Sequence, residues 1–233
     1  MRVPGLSVFL PCFNESGNLA QLVSRFSAEL PAVADAYEII IVDDGSSDGT
    51  GEMADRIASL DSHVRVVHHG VNRGYGAAVR SGISAASQPF VLLCDGDGQF
   101  DPAEMKALLE KLNDHDVIVG RRVRRADNLV RRINGKAWTQ LVRVLFGVRI
   151  SDIDCGFKLF RREFLSDLKL HAEGAMITTE LMTRLSCRGA RICEVDVSHF
   201  PRAAGEQSGN SLRVVVRAFR ELFVLYHDLK TQI

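Results

Sequence analysis

Short apolar runs alternate with helix-spaced segments through the first 120 residues, and few folds accept that rhythm. "LSVFLP" (6–11), "YEIIIVDD" (37–44), "VRVVHH" (64–69), "FVLLCD" (90–95) and "DVIVG" (116–120) read as strands rich in Val, Ile, Leu and Phe. Between them, 17–30, 49–60, 74–86 and 102–113 carry helical spacing, as in Leu19, Leu22, Val23 and Phe26. Strands and helices in that order imply right-handed βαβ units and a mostly parallel sheet flanked by helices, a Rossmann-like α/β fold. Ligands of such sheets bind beyond the carboxyl ends of the strands.

That rule gathers the polar residues. The first strand ends in Pro11-Cys12-Phe13-Asn14-Glu15 and the second in Asp43-Asp44-Gly45-Ser46. The strand at 90–94 runs into Asp95-Gly96-Asp97, and the one at 116–119 into Gly120-Arg121-Arg122. Four strand ends therefore carry polar groups expected to converge on one edge. In "IIIVDDGSSDGT" (39–50), Ser47 or Asp48 suits a helix cap, whereas Asp43 and Asp44 precede the turn and can accept hydrogen bonds from a base or ribose.

The second half is less regular: 129–146 reads as a helix, 191–199 as a strand and 212–229 as a final helix. "SDIDCGFKLFRR" and "FPRAAGEQSGNS" read as loops, rich in Gly, Ser, Asn and Pro. With no internal repeat and no linker-like stretch, one domain over 1–233 is expected, its second half folded onto the strand edge. The formal net charge is zero, but residues 1–120 carry −9 and residues 121–233 carry +9. An acidic half (1–120) and a basic half (121–233) meeting around a charged ligand fits that division.

Several classes drop out. Five scattered cysteines without a C-x-x-C pair argue for reduced thiols in a cytosolic setting, against a disulfide framework or a Cys-type zinc site. The opening "MRVPGLSVFLPCFNE" is too broken for a signal peptide. The longest uncharged run, Ser81 to Cys94, is 14 residues, short of a membrane span. "RRVRRADNLVRR" lacks the interleaved aromatics and overall basic character of a nucleic-acid binder; a solvated face is the default for such a run, and contact with anionic lipid or diphosphate is the functional alternative. His68-His69 lacks the i, i+4 spacing of a helical metal pair and reads as a strand end.

Asp95 and Asp97 lie two apart on an extended segment and so point to one side, with the neutral oxygen of Gln99 continuing the alternation. Hard divalent ions take oxygen ligands, and one or two carboxylates plus substrate phosphates is the usual arrangement for Mg²⁺, with Mn²⁺ an equal candidate. Neither G-x-x-x-x-G-K-[ST] nor a full G-x-G-x-x-G is present, "GVNRGYGAAV" falling short of the latter. The phosphates of a bound nucleotide then need this other counter-charge.

Taken together these pieces resemble the inverting family 2 glycosyltransferases of GT-A fold, in particular the polyprenyl-phosphate, dolichyl-phosphate mannose synthase-like branch. "PCFNE" looks like that branch's P-x-Y-N-E, and "VDDGSSDGT" like its nucleotide-binding turn. "DGDGQFDP" is similar to its D-A-D-x-Q-H-P, "GRR" to G-[ST]-R, "DIDCGFK" to D-x-x-x-G-F and "PRAAGEQS" to [DP]-R-x-x-G-x-S-K. The matches keep their order from residue 8 to about 211.

The resemblance implies a nucleotide-diphosphate sugar held by Pro11, Phe13, Asn14, Glu15, Asp43, Asp44, Asp95, Gly96 and Arg122. It implies a metal on Asp95, Asp97 and Gln99, and an acceptor phosphate met by Arg122, Arg202 and Ser208. Asp97, Asp152, Glu180 and Arg202 are the implied catalytic set, Asp152 and Glu180 standing where the family places a carboxylate near the reaction centre. Phe13 replaces the common Tyr, keeping a stacking surface without its hydroxyl, and Ser208 stands where Lys is frequent.

GDP-mannose and UDP-glucose both suit these residues as donors. The expected acceptor is a polyprenyl phosphate, with a saccharide hydroxyl as the alternative. The expected location is cytoplasmic, possible as a peripheral protein on the inner face of the membrane. The final helix could dock there or on a membrane-anchoring partner: Leu212, Val215, Val216, Phe219, Leu222, Phe223, Tyr226 and Leu229 share one face, with Arg213, Arg217 and Arg220 beside them. Packing of that face on the chain's own core is the competing account. A phospho-accepting receiver switch is the rival from another class, but its acidic pair follows the first strand, which here is preceded by another.

Overall fold

The computed structural model describes residues 1–124, 129–202, 204 and 212–231. Its strands are β1 (Val3–Cys12), β2 (Ala34–Asp43), β3 (Val64–His68), β4 (Phe90–Cys94), β5 (Val117–Arg124), β6 (Phe157–Arg161) and β7 (Ile192–Ser198). Its α-helices are α1 (Leu19–Val33), α2 (Thr50–Leu60), α3 (Tyr75–Ala85), α4 (Met105–Leu109), α5 (Leu129–Phe146), α6 (Arg162–Leu165), α7 (Met176–Cys187) and α8 (Leu212–Thr231).

The strands form one sheet in the order β3-β2-β1-β4-β6-β5-β7. β1, β2, β3 and β4 pair in parallel, β6 runs antiparallel to both β4 and β5, and β5 pairs β7 in parallel. The expected mostly parallel α/β sheet is the one found. Side chains alternate across it: Val8, Leu10, Ile39, Ile41 and Leu92 join one buried cluster with Leu22 and Phe26 of α1. Phe9, Ile40, Val42, Val91 and Leu93 join the other, with Val79 of α3, Ile177 and Leu181 of α7, and Leu222 and Leu225 of α8. Burial on both faces is why β1 and β4 read as continuous apolar runs rather than alternating ones.

Three readings change. Residues 157–161, expected within a loop, form β6 by pairing with β4 and β5; the fully buried Lys158 masks an otherwise apolar strand in the sequence. The helix expected over 102–113 contracts to a 3₁₀ turn at Pro102–Glu104 followed by α4. α7 had no counterpart in the sequence reading; its 12 residues are nearly all buried, so no polar stripe marks it.

The topology positions the site. β1, β2, β4 and β5 point the same way, so their carboxyl ends share one edge, and antiparallel β6 begins at that edge. Residues 152–156, which precede β6, are therefore delivered to the same place.

Candidate active site

The edge holds two acidic strand ends and a basic contribution from the second half. Asp44, at the end of β2, is buried and saturated: Oδ1 meets His69 Nδ1 at 2.6 Å and accepts the Arg73 amide at 2.9 Å, while Oδ2 accepts the Gly74 amide at 2.8 Å. His69 Nε2 in turn lies 2.9 Å from Ser81 Oγ. Asp43 accepts the Ser46 amide at 3.1 Å and faces His68 Nδ1 at 3.2 Å; His68 Nε2 sits 2.9 Å from Asp55. The hydrogen bond to Asp55, ahead of that to Asp43, raises the His68 pKa above its ordinary value.

Phe13, Asn14 and Glu15 leave β1 through a turn in which Asn14 adopts a left-handed φ of 57°. Asn has a side chain short and polar enough to take up that conformation and bond locally. Its Oδ1 accepts the Ser47 amide at 2.9 Å and its own amide donates to Ser46 Oγ at 3.0 Å, locking β1's exit to the turn after β2. Asp48 continues the turn by accepting the Thr50 and Ser16 amides, both at 3.0 Å. Phe13 is left 39% exposed, an aromatic face at the mouth of the edge. Pro11 is buried beneath it, and its carbonyl accepts the Gly96 amide at 3.2 Å.

Asp95 and Asp97 follow β4. The Tyr75 hydroxyl, from the start of α3, donates to Asp95 Oδ1 at 2.7 Å, and the Asp95 amide donates to the Gly156 carbonyl at 3.0 Å. A Cβ on Gly156 would collide with the Asp95 carboxylate, so glycine at 156 leaves room for that side chain as it stands. Asp97 Oδ1 accepts the Gln99 amide at 3.1 Å. Burial first, then the neighbouring Asp95 charge, pushes the Asp97 carboxyl up to about 7. Burial, reinforced by the Asp95 charge, likewise raises the Tyr75 phenol well above its usual range.

Gln99 joins the two halves. Its side-chain nitrogen donates to the Phe200 carbonyl at 2.8 Å, and the Phe200 amide donates back to the Gln99 carbonyl at 2.9 Å. This stitch carries the segment after β7 across the first half, where Arg202 forms an ion pair with Glu15 and donates from Nε to the Ala204 carbonyl at 2.7 Å. Asn18 completes the seam with bonds to Glu15 at 2.7 Å and to the Ala204 carbonyl at 3.2 Å. Burial raises the Glu15 pKa, against the lowering pull of Asn18 and Arg202.

Arg122, at the end of β5, grips Asp152 through two side-chain bonds, and buried Lys158 donates to the Cys155 carbonyl beneath the same loop. Desolvation lowers the Lys158 pKa.

The edge thus brings together Pro11, Phe13, Asn14, Glu15, Asp43, Asp44, Asp95, Gly96, Asp97, Gln99, Arg122, Asp152 and Arg202. Glu180 is turned elsewhere: on α7, its Oε2 accepts the His171 and Ala172 amides, both at 2.8 Å, and its Oε1 accepts from Arg184 at 2.9 Å. Ser208 lies outside the described residues, as do the side chains of Arg213 and Arg217. His68, His69, Tyr75 and Lys158 are participants the sequence reading did not assign. The glycines bracketing Tyr75 in "RGYGA" were the available signal for that residue.

Residues 7–169 match the family model described as Glycosyl transferase family 2. An undecaprenyl-phosphate 4-deoxy-4-formamido-L-arabinose transferase of Aeromonas hydrophila is 30% identical over 213 residues, covering 90% of this chain and 64% of that protein. A transferase of the same name from Pectobacterium carotovorum is 29% identical over 216 residues, covering 91% and 65%. The chain thus spans just under two thirds of the length of these curated relatives. Among solved structures, glucosyl-3-phosphoglycerate synthase from Mycobacterium tuberculosis in complex with Mn²⁺, UDP and phosphoglyceric acid superposes with a TM-score of 0.70 at 22% identity, covering 93% of this chain and 78% of that one. Its complex with Mn²⁺, UDP and glucosyl-3-phosphoglycerate gives 0.69 at 22% identity, covering 95% and 78%. At that identity the likeness shows the shared GT-A fold.

Proposed function

The chain belongs to glycosyl transferase family 2, and on that premise we propose that it transfers a hexose, with inversion, from a nucleotide-diphosphate sugar to a polyprenyl phosphate. The observation that carries this reading is the meeting of Asp95 and Asp97 with Arg122 and Arg202 at one strand edge: an acidic pair for a metal-bound diphosphate, and guanidinium groups for phosphate. The curated relatives, named as undecaprenyl-phosphate sugar transferases, support the acceptor class. The Mn²⁺ and UDP complexes of the structural neighbour support the donor class.

The residues fit a divalent metal. Asp97, pushed up to about 7 by burial and then by the neighbouring Asp95 charge, sits in a pair whose crowded negative charge a cation would offset, and the donors are all hard oxygens. Asp95 and Asp97, helped by the side-chain oxygen of Gln99, would hold Mg²⁺ or Mn²⁺, and the Gln99 nitrogen on the Phe200 carbonyl braces the loop. When bound, the ion would neutralise the charge growing on the departing diphosphate. Phe13 offers a ring for the base to stack on, and Asn14, Glu15 and the Asp43–Asp44 turn border the nucleoside.

The carboxylates support the polyprenyl phosphate as acceptor. A hydroxyl needs a positioned general base, whereas a phosphate monoester is already anionic near neutral pH. Asp152 is locked to Arg122, and Glu180 spends both oxygens on a loop and Arg184. A nucleophile that needs no base therefore suits this site better than a saccharide hydroxyl.

Among the described residues no helix is long and apolar enough to cross a membrane. α8 exposes Phe219, Phe223 and Val224 along one stripe with Arg220, which suits peripheral contact with an anionic inner membrane face or a membrane-anchoring partner.

The test is transfer from radiolabelled UDP- and GDP-hexoses with Mn²⁺ or Mg²⁺. Label should reach the organic phase only when polyprenyl phosphate is supplied. Efficient transfer to a soluble saccharide, or full activity in excess EDTA, overturns the acceptor or the metal reading respectively.

A further inference from the structure

We propose that Tyr75 is a positioning residue for the metal site: its hydroxyl fixes the Asp95 carboxylate in the orientation the ion requires. This rests on the metal reading above and deepens it. An ionised carboxylate only accepts hydrogen bonds, so the 2.7 Å contact is Tyr75 donating to Oδ1. On its other side the same carboxylate lies against Gly156, where any side chain would overlap it. Asp95 is thus wedged between one donor and one bare backbone face.

The segment that delivers Tyr75 is held at more points than packing alone requires. Asp44 takes the amides of Arg73 and Gly74, fixing the two residues before it. The Gly76 amide donates to the Glu173 carbonyl at 2.8 Å, fixing the residue after it. Gly74 has a φ of 92°, and a Cβ there or at Gly76 would strike the 172–173 backbone, so both flanking positions need glycine for the approach. The consequence is a rigid connection between the two acidic strand ends: Asp44 at β2 holds the loop, and the loop's tyrosine holds Asp95 at β4. Side chains that orient metal ligands typically change metal affinity 10–100-fold when removed.

Tyr75→Phe keeps the ring and removes the hydroxyl. Titration of Mn²⁺ followed by electron paramagnetic resonance, with UDP and GDP in parallel, should show Mn²⁺ binding about tenfold weaker than in the wild type. The KM for Mn²⁺ should rise by a similar factor, with kcat largely recovered at saturating metal. A variant with wild-type Mn²⁺ affinity, whatever its melting temperature, overturns the positioning role. Asp97→Asn run alongside separates the two readings. If it loses Mn²⁺ while Tyr75→Phe does not, only the tyrosine's role fails; if the wild type itself binds no Mn²⁺, both fail.

Discussion

Arg122 and Asp152 form a two-pronged ion pair, Nε to Oδ2 at 2.7 Å and Nη2 to Oδ1 at 2.6 Å, with each side chain only 10% exposed. The Arg122 amide adds a third bond to Asp152 Oδ2 at 3.1 Å. Burial alone would favour a neutral guanidine, but Asp152 more than offsets that and raises the Arg122 pKa. Asp152→Asn leaves a buried guanidinium without its bidentate partner, a change that costs about 3–5 kcal/mol where such pairs are broken. The expected result is a melting temperature lower by roughly 6–20 °C, from about 2–4 °C per kcal/mol in a chain of this size. A loss under about 2 °C would mean that the pair is solvated rather than structural.

Asp97→Asn should separate stability from function. Burial and then the Asp95 charge push the Asp97 carboxyl up to about 7 from an ordinary 3.8, so the fold binds this proton more tightly than the unfolded chain does. Its contribution to stability is therefore favourable at low pH and lost as pH rises from about 4 through about 7. Asparagine removes that loss. In EDTA at pH 8 the variant should match or exceed the wild type by about 1–4 kcal/mol, with the difference shrinking towards pH 4. Mn²⁺ with nucleotide should stabilise the wild type and not the variant. Thermal melts across pH 4–8.5, with and without Mn²⁺, read both effects, and a variant less stable than wild type at pH 8 in EDTA would contradict the first.

The strand ends were legible because buried parallel strands leave unbroken apolar runs, and Asp or Gly cannot extend them inward. That pattern alone locates Asp43, Asp44, Asp95 and Asp97 at one edge. β6 was not legible: Lys158 sits in the middle of "FKLF", and its place between β4 and β5 depends on long-range pairing. The histidines illustrate the same limit. His68 faces Asp43 because the β2–β3 register sets them opposite each other, which no local pattern encodes. Glu180 looked like a site carboxylate in "TTEL", but the partners that occupy it, His171 and Ala172, reach it only through the fold of the preceding loop.

Glu180→Gln should harm the fold more than the reaction. The carboxylate receives two backbone amides and Arg184 while 3% exposed, and the neutral amide would leave Arg184 with only the 4.0 Å contact to Asp228 as counter-charge. A loss on the order of 3 kcal/mol is expected. The 171–173 loop it supports also receives Gly76 and Arg80 of α3, so the damage should be local loosening on that side. Measured well below its melting point, the variant should keep at least roughly a third of wild-type kcat, since a twofold to threefold change is under about 1 kcal/mol of barrier. A kcat reduced a thousandfold in a folded Glu180→Gln protein would make it a base and favour a saccharide hydroxyl as acceptor.

Arg202 and Glu15 should prove coupled, and the coupling separates acceptor binding from folding. They pair across the seam between the halves, with Asn18 bonded to the same carboxylate. Glu15 is already raised by burial, and Arg202 is one of the groups that oppose the rise. Arg202→Ala removes that opposition, so the ionised Glu15 becomes costlier to keep in the fold. The penalty should be small at pH 4, where Glu15 is protonated, and larger at pH 8, where it must ionise or hold its proton. Adding Glu15→Gln removes the uncompensated charge, so the double variant should be more stable at pH 8 than the sum of the single changes predicts. An interaction energy of at least about 1 kcal/mol is expected for residues in contact. Transfer should behave differently, because the proposed role of Arg202 towards the acceptor phosphate is not restored by neutralising Glu15. Arg202→Ala and the double variant should both show a raised KM for polyprenyl phosphate, or no transfer, at any pH. Recovery of transfer in the double variant would show that Arg202 serves only to neutralise Glu15, and the acceptor phosphate would need another partner.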